Sequence, residues 1–161
     1  MTVIIGIDPG SRYTGYGVIQ LKGNRHIYLD SGRFDLTTLP FGEKLRHIFI
    51  NLQNIIKIFQ PQEAAIEQVF MKDNPHSALK LGQARGAAIV ALDMPLAEYS
   101  AREIKKSVTG HGGANKEQIQ YMVKRLLNLK DIPVSDAADA LAVALCHAQV
   151  RNFNQWISQH S

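Results

Sequence analysis

Cysteine is nearly absent: Cys146 is the only one in 161 residues. A single thiol excludes an internal disulfide framework and any zinc site built on paired cysteines. It falls in a stretch read below as helix, where it is expected to serve as a small core residue rather than a reactive thiol. No apolar run approaches the roughly 20 residues of a membrane span. At the N-terminus there is no basic segment followed by an apolar stretch and a small-residue cleavage site. No secretion signal is therefore expected, and the expected compartment is the cytoplasm. Internal repeats, low-complexity tracts and linkers are also missing, so the chain reads as one domain over residues 1–161.

What is present is an ordinary globular composition with 45% hydrophobic residues, enough for a proper core. The net charge of +4 and the isoelectric point near 9.3 point weakly to a polyanionic partner. The placement of the acids says more than the total. In "VIIGIDPGSRYTGYGVI", Val3 to Ile19, a continuously apolar run ends on Asp8. The run reads as a buried central strand, and a charge is seldom buried without a partner. Pro9-Gly10 then turns the chain into a second strand, leaving a hairpin with a carboxylate at its edge. A turn aspartate bonding its own backbone is the plain alternative.

Three strands are expected first, at Val3–Asp8, Gly15–Leu21 and His26–Phe34, with a turn at Lys22-Gly23-Asn24. A long helix from Pro40 to Phe59 follows. Its Leu45, Ile48, Phe49, Leu52, Ile56 and Phe59 recur at the spacing of one buried face, and Pro61 ends it. Ala64–Glu67 reads as a fourth strand, 76–92 as a helix and Leu96–Tyr99 as a fifth strand. A short helix over 101–106, a glycine-rich loop at 109–113 and a helix over 116–129 come next. The last helix is expected from Ser135, as its N-cap, to about Val150. The main elements run βββαβαβαα, which implies an α/β fold: a five-stranded mixed sheet flanked by helices. Asp8 and Glu67 then end neighbouring central strands on one edge, where open α/β sheets commonly bind ligands.

Two further acids open the last helix in "SDAADALAVALCHA". Asp136 and Asp139 are three apart and share a helix face. The alanines around them let the helix dock closely on the sheet. Asp136 suits the helix dipole, but Asp139 lies at the end of its range and near the buried side. Glu67, at a strand end, has no capping role. Four acids near one point repel unless cations sit among them, and Mg²⁺ suits a carboxylate-and-water shell. Two such ions activate water and stabilise the leaving oxygen in phosphodiester hydrolysis. Asp8, central in the sheet, is the candidate bridge between them.

These residues resemble a known family. "GIDPGSRYTGYGVI", "AIEQVF", "SALKLGQARG" and "DAADALAVALCHA" together look like the RuvC family of bacterial crossover junction endodeoxyribonucleases, over almost the whole chain from Val3 to about His147. The resemblance implies a ribonuclease H-like fold and a homodimer. It also implies cleavage of Holliday junctions by paired symmetric nicks, in recombination and DNA repair. It maps the catalytic metal ligands onto Asp8, Glu67, Asp136 and Asp139, with two Mg²⁺ per site and Mn²⁺ as a substitute. It further implies four-way junction DNA and the RuvA–RuvB branch-migration complex as partners. Phe70 matches an aromatic that stacks on bases near the junction centre, with a core role as the plain alternative. Lys105 and Lys116 match lysines near the scissile region. Lys72, Lys80, Arg85, Lys105, Lys106 and Lys116 together are expected to line a phosphate track, although any one of them also suits a solvated surface. Ala78, Gly82 and Gly86 step every four residues along a helix that the resemblance puts at the dimer interface. Intrachain packing would use the same small residues. His147 is expected to be structural or exposed rather than a ligand.

Three rivals use similar parts. Ribosomal-RNA-processing nucleases share the opening strand and turn, but "AIEQVF" and "ALKLGQARG" favour the junction enzyme. Actin-like ATPases and sugar kinases need a second phosphate-loop hairpin, which is not visible here. A junction-binding protein without catalysis has no use for four acids facing DNA.

Overall fold

The computed structural model describes residues 1–70 and 74–161. Five strands form one mixed sheet: β1 (Thr2–Asp8), β2 (Tyr13–Lys22), β3 (Arg25–Asp35), β4 (Glu63–Glu67) and β5 (Leu96–Tyr99). Their spatial order is β3-β2-β1-β4-β5. The first three pair antiparallel as a meander, and β1–β4 and β4–β5 pair parallel. The most apolar strand, β1, therefore takes the centre, and Asp8 and Glu67 end adjacent parallel strands.

Five helices cover the sheet: α1 (Phe41–Phe59), α2 (Pro75–Ala91), α3 (Ala101–Thr109), α4 (Lys116–Leu126) and α5 (Ser135–His160). Strand alternation divides the core in two. Ile5, Ile7 and Val18 point toward α1 and α2, where they meet Ile48, Leu52, Ala84 and Ala88. Ile4, Ile19 and Ala65 point the other way, toward α3, α4 and α5. Asp8 has the parity of Ile4, and Glu67 that of Ala65. Both acids thus belong to the face on which α5 lies.

Backbone fit explains how closely α5 lies. A Cβ built on Gly6 would stand 2.1 Å from the Ala140 carbonyl oxygen, and one on Gly15 would stand 2.1 Å from that of Asp136. Only glycine admits the helix at that distance. Ala137, Ala138, Ala140 and Ala144 are its counterparts on α5, all buried.

Several helix ends differ from expectation. α3 runs on to Thr109, three residues past its expected end. Ser135 is the first residue of α5 rather than its cap. Extended Val134 holds the cap position, and no side chain caps the helix. α5 also runs ten residues past Val150, because no glycine or proline interrupts the chain there. α4 stops at Leu126, where Leu127 leaves helical geometry and Asn128 takes a positive φ of 52°. Among the described residues, no helix is long and apolar enough to cross a membrane.

Candidate active site

Local capping sets the frame. Ser100 accepts from the Glu103 N–H while the Glu103 carboxylate accepts from the Ser100 N–H, which starts α3 one turn before Lys105. Asn115 and Gln118 make the same reciprocal pair, so α4 begins on Lys116. Both lysines are thereby aimed at the sheet edge where β1 and β4 end. They line an open cavity of about 580 Å³ with Glu67, Asp139, Asn115 and Ile119.

The hairpin mouth beside Asp8 is closed by Thr14. Its hydroxyl donates to the Gly10 carbonyl at 2.9 Å and accepts from the Gly10 N–H at 3.3 Å. That is the job the turn reading would have assigned to Asp8, so the aspartate is left for other work. Its electrostatics show the cost of its position. Burial first, then the charges of Asp139, Asp136 and Glu67, push its carboxyl up to about 8, and only Lys116 opposes them. Asp139 is raised to about 6, again chiefly by burial. Lys116 pulls it back, Glu67 and Asp136 push it up, and Lys105 pulls it back further. The four expected acids therefore share one field with two lysines inside it.

The quartet is not closed. Among the described residues, no set of three or more histidine, cysteine or acidic side chains stands ready to hold a metal ion. Asp136 is turned toward Arg33, whose Nη1 lies 3.4 Å from its Oδ2. The donor set nonetheless fits a hard divalent cation: the candidate ligands are all carboxylate oxygens, and burial first, then their mutual repulsion, makes a bare carboxylate unfavourable at Asp8 and Asp139.

The structure sorts the expected DNA contacts. Phe70 is 76% exposed, which removes the core reading. It lines a second cavity, of about 520 Å³, with Val69, Asn74 and Leu81. Glu67 and Ala101 belong to both cavities, so one groove leads from the acids to the exposed ring. Among the described residues, those expected to line a phosphate track lie in different surroundings. Lys80 lies with Ser11 and Lys44 on the α1–α2 side. Lys106 faces Cys146 and Phe153 of α5. Arg85 pairs with Glu98 at 3.3 Å and is largely buried, since β5 brings an acid beside α2 that no local spacing reveals. Lys72 lies outside the described residues.

Sequence reasoning missed Arg33. Its guanidinium lies 4.2 Å from the centre of the Tyr13 ring, beside Asp136. It also missed a cluster farther along α5. His147 bonds the Tyr99 hydroxyl through Nδ1 and Glu63 through Nε2, both at 2.7 Å, and Arg151 Nε donates to the same carboxylate at 2.7 Å. Burial alone would raise Glu63, but the bonds from Arg151 and His147 outweigh it and hold its carboxyl below the usual range. His147 is thus structural, as expected.

Known proteins agree with this architecture. The family model described as crossover junction endodeoxyribonuclease RuvC matches residues 4–147. A curated protein of that name from Idiomarina loihiensis is 60% identical over 156 residues, covering 92% of this chain and 88% of the relative. One from Acinetobacter baumannii is 58% identical over 151 residues, covering 92% of this chain and 83% of the relative. The solved structure of T. thermophilus RuvC in complex with Holliday junction substrate superposes with a TM-score of 0.89 at 33% identity, covering 96% of this chain and 97% of that one. The ribonuclease H-like architecture is therefore the family's own, and the chain belongs to the RuvC family of crossover junction endodeoxyribonucleases.

Proposed function

We propose that this protein resolves Holliday junctions by paired, symmetric hydrolysis of phosphodiester bonds, using Asp8, Glu67, Asp136 and Asp139 as the catalytic, metal-holding acids. One observation carries the reading. Glu67 at the end of β4 and Asp139 of α5 line a groove with Lys105 and Lys116, Asp8 and Asp136 share their electrostatic field, and that groove continues to the exposed ring of Phe70. Mg²⁺ held by these carboxylates supplies water activation and charge stabilisation at the scissile phosphate.

The chain's own residues do the rest. Lys116 and Lys105 draw a phosphate to an edge that would otherwise repel it. Phe70 offers a face for an unpaired base, worth about 1–3 kcal/mol in stacking. The apolar floor of Ile104, Ile119 and Val143 limits water around the acids.

A homodimer belongs to the same reading. On α2, Leu79 and Val90 are 66% and 72% exposed, and a Cβ on Gly82 or Gly86 would meet nothing within 4 Å. Ala84, Ala88 and Ala91 do the intrachain packing, so the glycine face is left for a second copy. Two sites related by a two-fold axis suit a substrate with the same symmetry. Cooperation with the RuvA–RuvB complex and a cytoplasmic location follow from the family resemblance.

The test is substrate choice. Labelled synthetic four-way junctions, matched linear duplexes and RNA–DNA hybrids are each incubated with the protein and Mg²⁺. Paired nicks in strands of like polarity, in the junction alone, are expected. Cleavage confined to the RNA strand would replace this reading with a ribonuclease, and binding without cleavage at any sequence would remove catalysis from it.

A further inference from the structure

We propose that Arg33 is a DNA-phosphate contact that holds Asp136 in the free protein and yields it to the acid quartet when the junction docks. The inference rests on the reading above and names how substrate and metal are coupled at that site.

Register puts Arg33 where this is possible. Asp8 pairs with Gly15, and Gly15 with Arg33, so the three form one row across β1, β2 and β3. Residues in a row share a face of the sheet. Gly15, between them, lets the Asp136 backbone of α5 lie directly over it, which brings that acid beside Arg33. The Arg33 guanidinium is stacked beside Tyr13 and reaches Asp136 with one nitrogen, Nη1, at 3.4 Å. The side chain is still 42% exposed. A guanidinium carries five N–H donors in a rigid fork that matches phosphate. One contact to Asp136 leaves donors for the solvent side, where a DNA backbone would run.

The pairing is built to exchange. A single 3.4 Å contact between two solvent-accessible groups is weakly held. A divalent cation competes with Arg33 for Asp136, and a phosphate competes with Asp136 for Arg33. When the phosphate takes the guanidinium, Asp136 turns back toward Asp8 and Asp139, whose field already includes it. By linkage, DNA then raises the affinity for metal and metal raises the affinity for DNA. The open quartet, with no completed cage among the described residues, is the free state of this exchange.

The test compares full-length wild type with Arg33→Gln and Arg33→Lys in two separate equilibria. Mn²⁺ alone is titrated without DNA, counting the free ion by electron paramagnetic resonance. A four-way junction is titrated in EDTA by fluorescence anisotropy over a KCl series. Arg33→Gln is expected to bind Mn²⁺ about 3- to 10-fold more tightly, because Asp136 loses its rival. It is expected to bind the junction more weakly, with a salt slope smaller by about 0.9, the signature of one lost phosphate contact. Arg33→Lys, which keeps the charge, is expected to restore the slope. A merely structural Arg33 would not raise metal affinity when removed. Unchanged or weaker Mn²⁺ binding by Arg33→Gln, or an unchanged salt slope, overturns the inference. If wild type itself binds neither Mn²⁺ nor junction, the broader reading fails. If wild type binds both and Arg33→Gln matches it, only this inference does.

Discussion

Asp8 is the residue at which folding and function pull apart. Buried beside three other acids, it is raised from an ordinary carboxylate value of 3.8 to about 8. The folded protein therefore binds this proton more tightly than the unfolded chain does. The resulting stability is complete below about pH 4 and is lost as the pH rises toward 8. Asn in this position cannot ionise. In EDTA at pH 8, Asp8→Asn is expected to melt about 4–8 °C above wild type, on the order of 2 kcal/mol. The gap narrows steadily as the pH is lowered toward 5. Thermal denaturation across that range checks it, and a variant melting at or below wild type at pH 8 would contradict the burial described here. Glu67 and Asp139 stood out in the sequence because a charge at a strand end or on the buried side of a helix has no cheap structural use, whereas Asp8 also suited a turn and Asp136 the helix dipole, and only the fold puts all four in one field. Arg33 was not, since an arginine near the end of an edge strand reads as solvent-facing until pairing brings it beside Asp136. The pairing of Arg85 with Glu98 was hidden for the same reason, as Glu98 reaches it only through the β4–β5 pairing.

At the scale of elements, α5 is the part that turns a fold into a site. It carries Asp136 and Asp139, and its height above the sheet is set by Gly6 and Gly15. The Glu63–His147–Arg151 cluster pins it to β4 two turns beyond Asp139. Gly15→Ala would drive a Cβ into the Asp136 carbonyl at 2.1 Å. The helix must lift, at a cost of about 1–3 kcal/mol. Cleavage is expected to fall by at least 100-fold even at temperatures where circular dichroism shows the variant folded, because a misplacement of about 1 Å in a catalytic group is that costly. Full activity in a folded Gly15→Ala protein would mean that α5 height does not govern the acids. The alanine half of this contact is visible in "DAADALAVALCHA". The glycine half lies more than a hundred residues away and is recognisable only once β1 and β2 are known to pair. Helix ends were the least legible parts. The tail after Val150 carries a mixed polar and aromatic sequence whose helical state shows only as a lack of breakers.

For the whole molecule, the sheet order brings residues 8, 67 and 136–139 to one edge, and the exposed glycine face of α2 lies on the opposite layer from α5. Strand content and apolar continuity made the five strands and their α/β setting readable. The spread of Lys80, Arg85 and Lys106 over different surroundings was not readable, because it depends on which face each helix turns outward. Gly86→Glu places a charge on the open α2 face where nothing in the chain is displaced. If α2 carries the proposed dimer interface, the wild type is expected to sediment as a dimer and this variant as a monomer at the same concentration, with an unchanged circular dichroism spectrum and loss of paired nicking. A Gly86→Glu protein that remained dimeric would move the interface elsewhere.

The most direct test of the central claim is single-turnover cleavage of a four-way junction by Asp8→Asn, Glu67→Gln, Asp136→Asn and Asp139→Asn, each compared with wild type in Mg²⁺. Each variant is expected to bind the junction in Ca²⁺ at near wild-type affinity, yet to cleave it at least 1,000-fold more slowly, a loss of about 4 kcal/mol in transition-state stabilisation. A folded, junction-binding variant at any of the four positions that cleaved at the wild-type rate would contradict the assignment of that acid. If all four did so, the groove between Lys116 and Phe70 would not be where the bond is broken.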